Sequence, residues 1–139
     1  MAASSATNAP RQWQPVAMLV GLSWLGEFVH NTLSLPTLTL LSPENSALAL
    51  IATLLVIAWW RCRGQRIVAA LLLGWGLVHL VVGAVITVLP FPFLPFVPEQ
   101  TAAHYLAHFL YGLAQVPLIA AMFGHLRASE GAPRAEALN

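Results

Sequence analysis

The 139-residue sequence contains no lysine, no aspartate and a single cysteine, Cys62. Its charged residues, six Arg and five Glu, make up 8% of the chain, against about 25% in soluble domains. So low a charge content excludes a disordered chain, a nucleic-acid-binding protein and an ordinary soluble enzyme. One cysteine excludes an internal disulfide framework and a thiolate metal cluster. The chain is instead apolar, with 58% hydrophobic residues.

Four apolar runs predict four helices that cross a membrane. Each run is close to the roughly 20 residues that a helix needs to span the hydrocarbon core, where the backbone must satisfy its own hydrogen bonds. We expect an all-α integral membrane protein with one four-helix transmembrane bundle at residues 13–126. The helices are expected at about residues 13–35, 43–62, 67–89 and 101–125, between flexible ends at residues 1–12 and 127–139.

The distribution of arginine predicts the orientation of the bundle. Positive charge occurs only before helix 1, between helices 2 and 3, and after helix 4, at Arg11, Arg61, Arg63, Arg66, Arg127 and Arg134. Cytoplasmic loops of membrane proteins carry an excess of such residues. We therefore expect a multi-pass protein of the cell membrane, surrounded by the lipid bilayer, with both termini in the cytoplasm (N-in/C-in).

The start of the second helix has a signal of its own. Ser42, Pro43 and Glu44 predict an N-cap serine, a proline in the first helical position and an acidic first turn. Within the membrane this helix has almost no polar residue except Thr53. We expect it to be an apolar support for the other three helices.

The loop between helices 3 and 4 is rich in proline and phenylalanine, with the sequence LPFPFLPFVPEQ at residues 89–100. Its four prolines exclude a regular helix or a central strand. Its three phenylalanines make it too apolar to extend into water. We expect this Pro–Phe loop to anchor in the membrane interface or to cover a cavity as a lid.

Polar side chains form a stripe along each of two helices. In helix 1, Ser23, Glu27, His30 and Ser34 are spaced 4, 3 and 4 residues apart and share a face, with Asn31 beside it. In helix 4 the same spacing relates His104, His108, Tyr111 and Gln115. Helix 3 adds His79, between two glycines that let a neighbouring backbone come close, Gly76 and Gly83.

These residues are predicted to lie at matching heights. At about 1.5 Å per residue, Glu27, His79 and Tyr111 all lie roughly 16 Å from the inner hydrocarbon edge, and His30 and His108 about 21 Å. An ionised carboxylate at this depth costs at least about 2.5–3.5 kcal/mol, so it must face the bundle interior. The sequence therefore predicts one polar pocket in the outer half of the bundle.

One interpretation of the pocket is structural. Hydrogen bonds among Glu27, Asn31, Tyr111 and the histidines would fix the register of three helices, at about 0.6 kcal/mol for each bond. A buried glutamate is a costly residue for that purpose.

A second interpretation is ligation of a metal ion or a haem. Glu27 and His30 have the i, i+3 spacing of helical carboxylate–histidine sites, and His79 and His108 would complete a shell for zinc, iron or copper. Alternatively, His79 and His108 would be the axial ligands of a b-type haem.

A third interpretation is binding of a small lipid-soluble molecule, with or without proton transfer. Glu27 would be a general base and Tyr111 or a histidine a general acid. The ligand-binding side chains would be polar residues of all three helices: His30, Asn31, His79, His104, His108 and Gln115.

The favoured function is thus the binding of a lipid-soluble ligand, metal or haem, with acid–base or redox chemistry as an option. The alternative is an accessory subunit of a larger membrane complex, or a homo-oligomer, whose polar cluster is structural. No nucleic-acid partner is expected, and whether the chain is an enzyme stays open at this point.

Overall fold

The computed structural model of this chain describes residues 13–35, 37–62 and 64–136, within which it forms four helices and no strand. The all-helical prediction is therefore confirmed. Of the flexible ends expected at residues 1–12 and 127–139, residues 1–12 and 137–139 lie outside the described residues, whereas residues 127–136 are helical. A π-helical segment directly continues the third helix. The elements are α1 (Trp13–Ser34), α2 (Pro43–Arg61), α3 (Arg66–Val78), the π segment (His79–Ile86) and α4 (Ala102–Glu136).

Three of the helical stretches are long and apolar enough to cross a membrane: Pro43–Arg61, Arg66–Ile86 and Ala102–Glu130. The remaining helix, α1, has the length, 22 residues, but carries more polar side chains. Ser23 and Glu27 on α1 are buried, whereas Met18 and Leu33 are exposed. This helix therefore turns its polar face toward the other helices and apolar side chains outward.

The four helices form a ring in which α2 and α4 each lie between α1 and α3. Their packing gives an apolar core near the end where α1 and α3 begin. This core includes Val20, Trp59, Leu72, Leu118 and Met122. The polar residues described below lie on the other side of this core, toward the Pro–Phe loop.

Arginines from separate parts of the sequence lie at one end of the bundle. Arg66 Nη2 is 2.7 Å from Glu130 Oε1, and His125 Nε2 donates a hydrogen bond of 2.8 Å to the carbonyl oxygen of Gly64. These contacts bring the connection between α2 and α3 against the last turns of α4. The clustering of positive charge that the sequence predicts is therefore present in the fold for the described residues.

Helix 3 differs from the prediction of a continuous α-helix over residues 67–89. At His79 the backbone changes to π geometry, and Thr87 N–H donates a hydrogen bond of 3.1 Å to Val82 O, five residues earlier. π-Helical segments are rare and are frequently found at functional sites. The change begins at His79, the one ionisable residue between residues 67 and 89. The periodicity of apolar residues could not indicate this change.

Helix 4 is longer than predicted. It continues past residue 125 to Glu136. The residues beyond His125 include alanine, arginine and glutamate, which favour helix without requiring burial. Hydropathy marks only the apolar part of such a helix and therefore places its end too early.

The start of α2 lies where the sequence predicts it, but the N-cap serine does not form the expected side-chain hydrogen bond to the helix. Ser42 is the N-cap residue and Pro43 occupies the first turn. The hydroxyl of Ser42, however, accepts a hydrogen bond of 2.8 Å from Thr39 N–H and makes none to the helix. Ser42 thus fixes the preceding turn instead of capping α2 through its side chain.

Small residues let α1 and α4 pack closely. A Cβ added to Gly26 would lie 2.6 Å from the Cβ of Ala114, closer than such atoms come in proteins. The contact depends on the absence of a side chain at residue 26, in agreement with the small-residue contacts common between membrane helices.

Gly26→Ala should therefore push α1 away from α4, because neither Cβ can rotate out of the contact. We expect a loss of about 1–3 kcal/mol in the free energy of unfolding. The measurement is the thermal unfolding midpoint of the purified protein in detergent.

Gly21→Ala is the matched control on the same helix, since no heavy atom lies within 4 Å of its added Cβ. It should leave stability unchanged or raise it by up to about 1 kcal/mol, because alanine favours helix over glycine. Adding Ala114→Gly to Gly26→Ala should restore much of the lost stability. Equal midpoints for the two alanine variants would contradict the close contact.

Candidate functional site

The side chains predicted to share one height come together from three elements. Glu27 Oε2 on α1 lies 4.0 Å from His79 Nδ1 at the start of the π segment. The same nitrogen is hydrogen-bonded to the hydroxyl of Tyr111 on α4 at 2.6 Å. All three residues are buried. The predicted meeting of helices 1, 3 and 4 at a common polar layer is therefore confirmed.

The next layer toward the Pro–Phe loop holds a pair of histidines. His30 Nε2 and His108 Nε2 are 2.9 Å apart and hydrogen-bonded to each other. The second nitrogen of His108 donates a hydrogen bond of 3.1 Å to the carbonyl oxygen of Ala84, and the second nitrogen of His30 faces Asn31 Oδ1 at 3.2 Å. All four ring nitrogens of the pair are therefore engaged.

Close approach of α4 to the π segment also depends on a glycine. A Cβ added to Gly83 would lie 2.5 Å from the hydroxyl oxygen of Tyr111. The glycine thus leaves room for the phenol that binds His79. The sequence predicts that Gly83 lets a neighbouring backbone come close, whereas the group that fills this space is a side chain, the phenol of Tyr111.

Asn45 is a site residue that the sequence analysis did not identify. It lies in the first turn of α2, is buried, and accepts a hydrogen bond of 2.9 Å from Asn31 Nδ2. Its own amide donates to the carbonyl oxygen of Thr39 at 2.8 Å. The expectation that helix 2 is only an apolar support is wrong at this residue. The position of Asn45 along the bundle could have indicated its place in the site, because α2 begins at the end of the bundle where His30 and Asn31 lie.

Gln115 belongs to a separate set of hydrogen bonds nearer the apolar core. Its Oε1 accepts from the hydroxyl of Ser23, and its Nε2 donates to the carbonyl oxygens of Ser23 and Tyr111. The hydroxyl of Ser23 also accepts a bond of 2.9 Å from Trp75 Nε1. This set joins three helices, uses both amide hydrogens of Gln115, and favours a structural role for a residue predicted to bind ligand.

Two atoms of the cluster are buried without a hydrogen-bond partner among the described residues, Glu27 Oε2 and His104 Nε2. His104 lies beside the histidine pair, with its ring centroid 4.5 Å from that of His108 and 6.3 Å from that of His30. Buried polar atoms are nearly always bonded in folded proteins. The cluster therefore differs from the Ser23–Gln115 set, in which the polar atoms bond one another.

A cavity of about 430 Å³ lies between the histidines and the Pro–Phe loop. His30, His104 and His108 line one side of it, and four loop residues line the other: Phe96, Val97, Pro98 and Glu99. The loop thus covers a cavity, as the lid interpretation expected. Its other two phenylalanines, Phe91 and Phe93, stack on each other with ring centroids 5.1 Å apart.

The predicted metal ligands do not form a metal-binding arrangement. Among the described residues, no group of three or more His, Cys, Asp or Glu side chains could hold a metal ion. The nitrogens of His30 and His108 bond each other, an amide and a carbonyl oxygen, so their lone pairs do not converge on a common point. Binding of a metal ion by Glu27, His30, His79 and His108 therefore stays a prediction that this geometry does not favour. The same holds for binding of a haem by His79 and His108.

Comparison with protein-family models, with curated proteins and with solved structures gives no match for this chain. Function must therefore be inferred from the polar cluster and the cavity above it. The informative contrast is between polar atoms that bond one another and those that do not.

Ser23→Ala tests the structural set of hydrogen bonds. Without the hydroxyl, Trp75 Nε1 loses its acceptor and Gln115 Oε1 loses its donor, both in buried positions. We expect a loss of about 1–3 kcal/mol in the free energy of unfolding, measured as a lowered thermal midpoint.

The matched control is Thr53→Ala, because the exposed hydroxyl of Thr53 bonds only the carbonyl oxygen of Ala49 in its own helix. Its effect should stay within about 0.5 kcal/mol. A Ser23→Ala variant as stable as Thr53→Ala would show that these buried bonds do not hold the helices together.

Proposed function

We propose that this chain is a multi-pass membrane protein that binds a small lipid-soluble molecule by its polar head group and exchanges protons with it. The observation that carries the proposal is His104 Nε2, a buried nitrogen without a hydrogen-bond partner among the described residues, in a ring that lines the cavity. A buried polar atom without a bond costs about 1–3 kcal/mol. A head group bonded to this nitrogen would remove that cost.

The size and lining of the cavity suit such a molecule. Its volume of about 430 Å³ falls in the range of roughly 300–1,000 Å³ that is common for small-molecule sites. The imidazole of His104 on one side can bond a polar head group, and the phenylalanine, valine and proline of the loop can contact an apolar body. The covering loop would separate the bound head group from water.

Glu27 supports proton exchange as part of the function. Its Oε2 is the second buried atom of the cluster without a partner, and it lies 4.0 Å from His79 Nδ1, which binds the Tyr111 hydroxyl. A carboxyl group beside an imidazole and a phenol can act in general acid–base catalysis. We propose Glu27 as the base and Tyr111 as an acid, about one helical turn deeper than the cavity wall.

The membrane location and orientation are part of the same proposal. Three helical stretches have the length and hydropathy of membrane spans, and α1 turns its polar side chains inward. Arg61 and Arg66 lie at the same end of the bundle as Arg127 of α4. The positive-inside rule makes that end cytoplasmic. Both termini would then be cytoplasmic, and the cavity would lie in the outer half of the cell membrane.

The second candidate is an accessory subunit of a larger membrane complex with a purely structural polar cluster. The Ser23–Gln115 set favours it, because those bonds join helices and leave no free amide hydrogen. That candidate predicts that no small molecule accompanies the protein and that substitutions of cluster histidines act on stability alone.

His104→Leu separates the two candidates. The protein is extracted with its surrounding lipid by an amphipathic polymer, and bound small molecules are quantified by mass spectrometry per mole of chain. We expect about one bound molecule in the wild type and at least about a tenfold decrease in His104→Leu, as for the loss of one hydrogen bond in a desolvated site. After removal of the bound molecule from both proteins, the unfolding midpoint of the variant should equal that of the wild type or exceed it, because leucine replaces a nitrogen that has no partner among the described residues.

Leu106→Ala is the control on the same turn of α4, since Leu106 is exposed and does not line the cavity. It should retain the bound molecule. Absence of any stoichiometric small molecule from the wild type, or equal amounts in wild type and His104→Leu, would favour the structural candidate.

The orientation is tested with a membrane-impermeant maleimide on intact cells. Cys62, the only cysteine of the chain, is expected to react only after permeabilisation, because it lies at the arginine-bearing end. Thr101→Cys in a Cys62→Ser background is expected to react in intact cells, because residue 101 is exposed at the opposite end. The reverse pattern of labelling would place the cavity in the inner half of the membrane.

A further inference from the structure

A continuous series of hydrogen-bond contacts runs from the turn before α2 to the π segment and ends on a backbone carbonyl at each side. Carbonyl oxygens only accept hydrogen bonds. The two ends therefore fix which atoms along the series must donate. The members, in order, are Thr39 O, Asn45, Asn31, His30, His108 and Ala84 O.

The α2 end fixes the orientation of both asparagines. Thr39 O accepts from Asn45 Nδ2 at 2.8 Å, so Asn45 presents its oxygen to Asn31. Asn31 must then direct its Nδ2 toward Asn45 Oδ1, at 2.9 Å, and the same amide nitrogen lies 3.3 Å from Glu27 Oε1. Its oxygen is left facing His30 Nδ1 at 3.2 Å. An acceptor therefore stands opposite that ring nitrogen.

The other end fixes the hydrogen on His108. Ala84 O accepts from His108 Nδ1 at 3.1 Å, so that nitrogen carries a hydrogen. Between the two rings, the Nε2 atoms lie 2.9 Å apart, and this bond also needs one hydrogen. Three hydrogen bonds therefore involve the ring nitrogens of His30 and His108, and each needs a hydrogen from a ring.

Two neutral imidazoles carry only two such hydrogens. In a neutral pair, the lone pair of His30 Nδ1 would face the oxygen of Asn31. We infer that His30 and His108 together hold one additional proton, as an imidazolium hydrogen-bonded to an imidazole. The pair is thus a proton-binding site built into the bundle, with Asn31 as its positioning residue.

The counter-charge for this proton is Glu27. Its carboxylate accepts from Asn31 Nδ2, so one amide group joins the positive pair to the negative carboxylate. Burial by itself favours the uncharged forms of both partners. Opposite charges on either side of a shared amide offset that preference and leave the cluster with no net charge.

The other titratable groups around the pair come from every neighbouring element. His104 and Tyr111 face it from α4, His79 lies at the start of the π segment, and Glu99 of the loop lines the same cavity. On α2 the neighbouring polar residue is Asn45, which does not ionise. Besides Glu27, the only carboxyl group among these neighbours is that of Glu99.

The additional proton gives the site a second acid, beside Tyr111. His30 and His108 line the cavity, so the pair would donate its proton to a bound head group while Glu27 remains a base. That catalytic use rests on the proposed function. The protonation of the pair does not, because it follows from the hydrogen bonds alone.

The test is the ¹⁵N NMR spectrum of the full chain, labelled at histidine and placed in lipid nanodiscs at about pH 8. An imidazole with the ordinary pKa of about 6.5 is almost entirely neutral there. Among the five histidines, we expect one ring with both nitrogens protonated, or two rings that share the additional proton between them. The signal should disappear in Glu27→Gln, which removes the counter-charge, and in His30→Gln, whose amide supplies a donor and an acceptor without a proton.

His125→Gln and Glu44→Gln are the matched controls, because His125 bonds Gly64 at the other end of the bundle and Glu44 is exposed. Both should keep the signal. Five neutral rings in the wild type would overturn the inference without any variant, and so would a signal that Glu27→Gln keeps or His125→Gln removes. Retention of a bound molecule is measured separately with His104→Leu, so failure of one proposal is distinguishable from failure of the other.

Discussion

The structure depends on one constraint: a polar side chain buried among apolar helices must find its hydrogen-bond partners on other buried groups. Ser23 satisfies the constraint through Gln115 and Trp75, and the bonds between them join three helices. Asn31 satisfies it through Asn45 and Glu27. The Ser23–Gln115 bond requires α4 to approach α1 closely, which Gly26 allows because it has no side chain at the contact, and Gly83 leaves room for the phenol of Tyr111. Packing and polar bonding therefore fix the same register.

The heights of the polar residues could be predicted because a helix rises by a fixed distance per residue. That rule alone paired Glu27 with His79 and Tyr111, and His30 with His108, across helices far apart in sequence. Asn45 was missed because the first turn of α2 was interpreted only as a helix start. The π segment could not be predicted, because hydropathy measures burial and is insensitive to whether a backbone bond spans four residues or five.

The polar groups of the bundle differ in how completely they form hydrogen bonds with one another. Nearer the apolar core, Ser23 and Gln115 bond to each other and to the backbone, as expected of residues that hold helices together. Nearer the Pro–Phe loop, Glu27 and His104 each keep a buried atom without a partner among the described residues, and Trp24 Nε1, on the side of α1 toward α2, is a third such atom. Such atoms cost stability, and proteins retain costs of this kind mostly where function requires them. The contrast with the Ser23–Gln115 set therefore favours a functional role for Glu27 and His104.

The position of the π segment connects these layers. It begins at His79, which contacts the carboxyl group of Glu27, and its residue Ala84 supplies the carbonyl that fixes the ring of His108. One short element thus orients an imidazole in each of two neighbouring layers. In a regular α-helix the residues after His79 would be rotated differently about the axis, and Ala84 would present its carbonyl in another direction. The departure from α-helical geometry is therefore part of how the chain positions its histidines against α4.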